Sequence, residues 1–253
     1  VSQCGVCSCR CNRGLHVYPR YDAQNNKSTK TAAGWSQAKP VYLLSDKATI
    51  WAYYPYNQAV ADGTKVPVPI NAGTSVDYMW GKSTNQVSVI ETDAVIPMKH
   101  ALSQLVIRLK VSPEYHNDGN LTSAKLKSKA AKFGTSGTMN LNDNGRIIFS
   151  PTSTELSWTP NTTIPAQGNP SVDFAAAIYP MSLASGEVSM EVVIDGATYT
   201  YSIPQISWEA GKRYIYSITM RSNDAEIGGE NGQSVTIEPW GSSESDVTLV
   251  PVK

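Results

Sequence analysis

Apolar and polar residues alternate by twos through much of this chain, and that period predicts strands. In VSMEVVIDGATYTYSI, residues 188 to 203, Asp195-Gly196 supplies a two-residue turn with both residues at positive φ. With that turn Ile194 faces Ala197. Val188, Met190, Val192 and Ile194 then share a face with Ala197, Tyr199, Tyr201 and Ile203, while Ser189, Glu191, Thr198, Thr200 and Ser202 take the other. One register satisfies every position.

GTMNLNDNGRIIF, residues 137 to 149, predicts a second hairpin, with a three-residue loop Asp143-Asn144-Gly145 and Gly145 in the left-handed region. Leu141 is then expected opposite Ile147, and Met139 opposite Phe149. Asn140, Asn142 and Asn144 before a glycine faintly resemble a calcium loop. That loop, however, wants carboxylates and a bidentate glutamate at its twelfth position, where Pro151 stands, so a turn is expected. Further strands are predicted at 48–54, 173–180, 212–220 and 234–240, each bounded by glycine, proline or asparagine; Tyr214, Tyr216, Ile218 and Met220 share a face in the third.

MKHALSQLVIRLKV, residues 98 to 111, reads two ways. At helical spacing Ala101, Leu102, Leu105, Val106 and Leu109 form a stripe; by twos, Leu105, Ile107, Leu109 and Val111 alternate with Gln104, Arg108 and Lys110. Among so many strands, and between Pro97 and Pro113, the stretch predicts a strand at 104–111 entered through a helical turn at 100–103. The segment 159–172 holds three prolines and little that fills a core. It is the expected boundary between an N-terminal β-sandwich, 1–163, and a C-terminal one, 164–253, both of ordinary domain size.

Composition agrees with an all-β chain: tyrosine stands at 13 against 3 phenylalanines, with threonine, serine, valine, glycine and proline throughout. Lysine plus arginine equals aspartate plus glutamate, at 21 each, so no global field draws nucleic acid or an anionic membrane. No apolar run approaches the roughly 18 residues of a spanning helix, and no charged-then-apolar leader opens the chain, which suits a cytosolic protein or a mature form whose signal was removed. All four cysteines, Cys4, Cys7, Cys9 and Cys11, lie in CGVCSCRC, so disulfides are not expected to hold the body together. Four close thiolates suit zinc or copper(I), yet structural zinc sites usually join separated pairs. The expectation is a flexible, partly oxidised leader. Val1-Ser2-Gln3 is a poor context for lipoprotein cleavage before Cys4.

Catalytic chemistry is thinly supplied. Histidine occurs only at His16, His100 and His116, and GTSGT at 134–138 misses the nucleophile elbow because Thr138 stands where its last glycine belongs. His100 is expected to hydrogen-bond the backbone at a strand start. No cofactor or metal is expected. Paired carboxylates for glycoside hydrolysis need only meet in space and stay open as a weak third reading. Trp51, Tyr53, Tyr54 and Tyr56 suit either a core strand ending at a Tyr-Pro turn or a sugar-stacking platform, and the core strand is preferred. Beyond Trp240 the chain continues as GSSESDVTLVPVK, a polar spacer followed by Val247, Thr248, Leu249, Val250 and, past a proline, Val252. Such a tail is an edge strand of its own domain or a strand offered to a neighbour. Arg13 and Arg20, in the extended opening segment, are candidate sites for a trypsin-like protease.

Taken in order, ATIWAYYPYN, MKHALSQLVIRLKV, GTMNLNDNGRI, DFAAAIYP, DGATYTYSIPQISWEAGKRYIYSITM and VTIEPWG resemble the Mfa-like fimbrillin family of Bacteroidales surface proteins, from about residue 40 to 241. The resemblance implies a non-enzymatic pilus subunit of two transthyretin-like sandwiches in tandem, exported as a lipoprotein precursor anchored in the outer membrane. It further implies removal of a first strand after an arginine, here Arg13 or Arg20, and a donor strand from another subunit in the groove so opened. Val247, Thr248, Leu249, Val250 and Val252 are then the donor strand and the N-terminal sandwich the acceptor. Partners implied are other fimbrial subunits at the cell surface, with host glycans or proteins open as ligands. The cysteine-rich start has no counterpart in the family. The rival reading is a surface carbohydrate-binding lipoprotein of similar β architecture.

Overall fold

Residues Ala94–His100 and Ser103–Val111 are both strands, joined by a sharp bend at Ala101 and Leu102 with no helical turn between them. The computed structural model describes residues 3–11, 25–32, 34–70, 76–163, 172–220, 225–227, 236–240 and 246–249, with the backbone alone at 3–11, 111, 225–227, 236 and 246–249. The strands are β1 (Gln3–Cys11), β2 (Asn26–Thr31), β3 (Gly34–Gln37), β4 (Ala48–Tyr54), β5 (Val66–Pro69), β6 (Met79–Lys82), β7 (Ala94–His100), β8 (Ser103–Val111), β9 (Asn120–Ser128), β10 (Ser136–Asn140) and β11 (Arg146–Phe149). They continue as β12 (Glu155–Trp158), β13 (Thr162–Thr163), β14 (Val172–Ile178), β15 (Met181–Leu183), β16 (Val188–Ile194), β17 (Ala197–Ser202), β18 (Ile206–Trp208), β19 (Lys212–Met220), β20 (Ala225–Ile227), β21 (Thr236–Pro239) and β22 (Asp246–Leu249). The fold is all-β. Among the described residues the helical content is a single 3-10 turn, Leu141–Asp143.

Seven strands form one sheet in the order β22-β7-β6-β4-β1-β2-β3, and its two end strands, β3 and β22, approach one another, so the sheet curls toward closure. A three-stranded sheet, β11-β10-β5, lies against it. Two five-stranded sheets, β12-β9-β16-β17 with β13 beside β9 and β14-β8-β19-β20 with β21 beside β19, and a two-stranded one, β15-β18, make up the rest of the described strands. In the second five-stranded sheet, β8 and β19 run parallel.

Three apolar clusters follow from these sheets. The largest lies between the five-stranded sheets and takes Leu105, Ile107 and Leu109 from β8, Val188, Met190, Val192 and Ile194 from β16, and Tyr214, Tyr216, Ile218 and Met220 from β19. Burying such side chains contributes about 1.5–3 kcal/mol each. A second cluster packs Tyr53, Val66, Val68, Met139 and Leu141 between the seven- and three-stranded sheets, joined by Ala101, Leu102, Ala177 and Tyr179. On the opposite face of the curled sheet, Ala48, Ile50, Ala52, Ala94, Ile96 and Met98 form the third. The bend after His100 therefore carries the chain from one core to another, with Ala101 and Leu102 in the second cluster and Leu105 in the first.

The hairpin β16–β17 has the expected register: Ile194 pairs with Ala197 and Ser189 with Ser202, and Asp195 and Gly196 have φ of 49° and 80°. The hairpin β10–β11 does not. Met139 pairs with Ile147 and Gly137 with Phe149, because Asn140 Oδ1 accepts from the Asn142 N–H and starts the 3-10 turn. That turn buries Leu141 in the core and takes it out of the ladder, leaving Asn144 and Gly145 left-handed at φ 50° and 68°. The cysteine-bearing start also differs from expectation, since residues 3 to 11 are a paired strand inside the seven-stranded sheet. Residues 163 and 164 do not mark a change of sheet: β9 and β12 pair in one sheet with β16 and β17, and β8 pairs with β14 and β19.

Candidate functional site

Both end strands of the chain join the same sheet, and the site is the pair of positions they occupy. β1 lies between β2 and β4, with Val6 opposite Asn26 on one side and Ala52 on the other. The walls of this slot are buried: polar Asn26 and Ser28 on β2, and apolar Ala48, Ile50 and Ala52 on β4. Between Cys7 and Arg10 the register with β4 slips by one residue, from Cys7 opposite Trp51 to Arg10 opposite Thr49. A bulge of this kind switches the parity of the strand. Sequence reasoning missed β1 for that reason: a period of two does not survive the slip, and clustered thiols draw attention to metal chemistry.

β22 lies on the outer edge of β7, antiparallel, with Val247 opposite Ile96, Thr248 opposite Val95 and Leu249 opposite Ala94. Ala94 and Ile96 belong to the cluster on the curled face. Val95 uses its backbone on the other side, accepting from the Thr84 N–H at 2.9 Å and donating to Asn85 Oδ1 at 3.1 Å. The amides of Ala94 and Ile96 therefore face β22. Of the expected donor residues, Val247, Thr248 and Leu249 fall on this strand, while Val250 and Val252 lie outside the described residues. Arg13 and Arg20 lie outside them too, in the segment between β1 and β2.

The root of the tail is fixed by His100. Its ring stacks on Trp240 at 4.7 Å and 9°, its Nδ1 stands 2.8 Å from Asp77 Oδ1, and the Trp240 N–H donates to the Gly211 carbonyl at 2.7 Å. His100 thus closes β7 and engages a carboxylate, where a backbone partner at a strand start was expected. Beside it, burial pushes the Tyr78 hydroxyl above its ordinary range.

The aromatic run on β4 is a core strand. Tyr53 is fully buried, its hydroxyl donating to Asn25 Oδ1 at 2.5 Å and standing 3.0 Å from the Asn57 carbonyl. Trp51, Tyr54 and Tyr56 are half-buried, with Lys82 Nζ 5.7 Å from the Trp51 ring and Lys27 Nζ 5.9 Å from that of Tyr56. Among the described residues no three His, Cys, Asp or Glu side chains group to hold a metal, and no helix is long and apolar enough to cross a membrane.

A family model described as fimbrillin-like matches residues 14–240. Solved structures share the fold at low identity. A candidate cell adhesion protein of Bacteroides uniformis is 18% identical with a TM-score of 0.70, covering 95% of this chain and 91% of its own. A second candidate cell adhesion protein, from Bacteroides ovatus, is also 18% identical, with a TM-score of 0.69 and coverage of 96% and 88%. A fimbrial protein of Bacteroides vulgatus is 16% identical, with a TM-score of 0.54 and coverage of 86% and 85%. No curated protein matches the chain.

Proposed function

The chain belongs to the fimbrillin-like family, and on that premise we propose that it is a structural or adhesive subunit of a cell-surface fimbria, joined to its neighbours by exchange of terminal β strands. In this reading it catalyses no reaction, its partners are other fimbrial subunits, its precursor is held in the outer membrane by a lipid, and its body is a tandem of transthyretin-like sandwiches.

One observation carries the reading: β1 and β22 are both members of the curled sheet, one as an interior strand and one as an edge. A cut at Arg13 or Arg20 severs β1 from β2 and leaves it held by pairing alone, so that its departure opens a slot between β2 and β4. The vacated edges are two rows of unpaired N–H and C=O groups, which another strand satisfies by addition. The tail supplies such a strand. In the donor strand, Val247, Thr248, Leu249, Val250 and Val252, the valines and Leu249 bring apolar side chains worth about 1.5–3 kcal/mol each when fully buried, and three or four of them hold a filament together. In the unassembled chain residues 246–249 pair with β7, which occupies their backbone groups and withholds them from indiscriminate pairing.

The test is protease treatment of the purified chain, followed by electron microscopy and sedimentation, with and without residues 243–253. Polymers from the full chain and none from the truncated one are expected; equal polymerisation of both removes the tail from the mechanism.

A further inference from the structure

We propose that the free edge of β17 is a self-pairing surface through which two copies of this chain associate side by side, independently of strand exchange at the chain ends. Among the described residues β17 is an outermost strand, paired with β16 alone. Because Ile194 and Ala197 flank a two-residue turn, Ala197, Tyr199 and Tyr201 bond inward to β16. Thr198, Thr200 and Ser202 turn their N–H and C=O groups away from the sheet. All three are exposed.

Exposed edges are ordinarily blunted by charge, proline, a bulge or short length. β17 has none of these: it is six residues, ATYTYS, uncharged, and in unbroken register with β16. The opposite edge of the same sheet is protected, since β12 is four residues long and carries Glu155, whose carboxylate stands 3.4 Å from Lys125 Nζ.

The occupant that fits is β17 of a second copy, antiparallel about a two-fold axis through Thr200. Thr200 then faces Thr200, Thr198 faces Ser202, and Tyr199 faces Tyr201. The three outward residues of each strand exchange about six backbone hydrogen bonds. Hydroxyls meet hydroxyls on one face and aromatic rings meet on the other, both favourable cross-strand pairs, and no charge meets its like. The rings are held in place beforehand: Tyr199 and Tyr201 pack against the main core, and Tyr201 meets Tyr216 edge-on at 6.2 Å. Glu191, the nearest charge across β16 from Thr200, is neutralised by Lys127 at 2.7 Å. A seam of one short strand buries less than the roughly 1,200 Å² of a standard stable interface, so a lone pair of molecules associates weakly. An array of seams along two fibres multiplies that affinity, giving lateral bundling.

The experiment uses the full chain. In Thr200→Cys the two-fold register sets the introduced thiols on Cα atoms about 5.5 Å apart, within disulfide reach. Mild oxidation is expected to give dimers linked at position 200, with peptide mass separating this link from those of Cys4, Cys7, Cys9 and Cys11. Thr198→Cys, equally exposed but opposite Ser202, is expected to dimerise about tenfold more slowly, while Thr198→Cys combined with Ser202→Cys restores the link. Thr200→Lys sets two ammonium groups against each other and is expected to weaken concentration-dependent association in sedimentation about tenfold with an unchanged thermal melt. Equal rates for Thr200→Cys and Thr198→Cys, or unchanged sedimentation of Thr200→Lys, overturn the proposal. Removing residues 243–253 leaves the seam in place, so failure here is distinct from failure of strand exchange.

Discussion

Gly137 lies directly under the ring of Tyr179: a Cβ at position 137 would stand 2.9 Å from Tyr179 Cε1 and Cζ. Gly137 sits on β10 between Val68 and Phe149, and Tyr179 covers all three. Its hydroxyl donates to the Val68 carbonyl at 2.5 Å, and its ring stacks on Phe149 at 4.6 Å and 24°. Tyr179 follows β14, a strand of a different sheet, so this contact pins the three-stranded sheet to the rest of the body. Burial first pushes its hydroxyl up to about 12.

Gly137→Ala is expected to destabilise the protein by about 1–3 kcal/mol in urea unfolding, because neither ring nor strand yields without disturbing the core. Tyr179→Phe keeps the ring and is expected to cost about 1 kcal/mol by leaving the buried Val68 carbonyl without its donor. A neutral Gly137→Ala would mean that the ring moves freely.

Asp195 holds the tip of the β16–β17 hairpin to the loop before β9. Its carboxylate accepts from the Gly119 N–H at 3.0 Å, the Asn120 N–H at 2.8 Å and the Tyr115 hydroxyl. Burial, and then the hydrogen bond to this carboxylate, push the Tyr115 hydroxyl above its ordinary range. Asp195→Ala removes all three acceptor contacts and sets alanine, which tolerates the left-handed region less well than aspartate, at φ 49°; a loss of about 2–3 kcal/mol is expected. Asp195→Asn, which tolerates that backbone and keeps an acceptor, should lose about half as much. Combined with Tyr115→Phe, the losses should fall short of their sum, measured as a double-mutant cycle.

The Glu187 carboxyl is held below its ordinary value of 4.5, first by Lys132 Nζ at 2.6 Å and then by the Ala184 N–H at 2.9 Å. A folded value below the unfolded one stabilises the fold above about pH 4.5, and that contribution fades as pH falls through the lowered value. Carbon NMR titration should find the Glu187 carboxyl low in the wild type and nearer its ordinary value in Lys132→Met. The stability difference between the two should shrink on acidification. A difference that holds constant with pH would assign Lys132 a packing role.

Because the Ala94 and Ile96 amides face β22 while Val95 is bonded on the other side, hydrogen exchange reads the tail directly. Removing residues 243–253 should speed exchange at Ala94 and Ile96 by tenfold or more and leave Val95 nearly unchanged. Trp240→Ala, which removes the stack on His100 at the tail's root, should produce the same pattern more weakly. Equal exchange at all three positions in both variants would place no strand on this edge in solution.

Local chemistry made the β16–β17 hairpin legible, because a two-residue Asp-Gly turn admits one register and alternation confirms it over the whole length. The β10–β11 hairpin was legible as a hairpin only. The choice between keeping Leu141 in the ladder and burying it in a 3-10 turn depends on the core beneath, which lies on β5 some seventy positions earlier in the chain. The periodicity of 98–111 identified the strand after Ser103 and missed the one before it, since Ala101 and Leu102 are apolar for a second core.

The sequence by itself determined that the chain is built of strands, where its tightest turn falls, and that its last residues are a β-prone apolar segment, because each of these follows from the steric and solvation preferences of neighbouring residues. Tertiary structure alone decided that β1 is an interior strand and that β22 borders β7 in the same curled sheet. Strand pairing is made by backbone groups common to every residue, so which strands meet is settled by shape and burial across the whole fold.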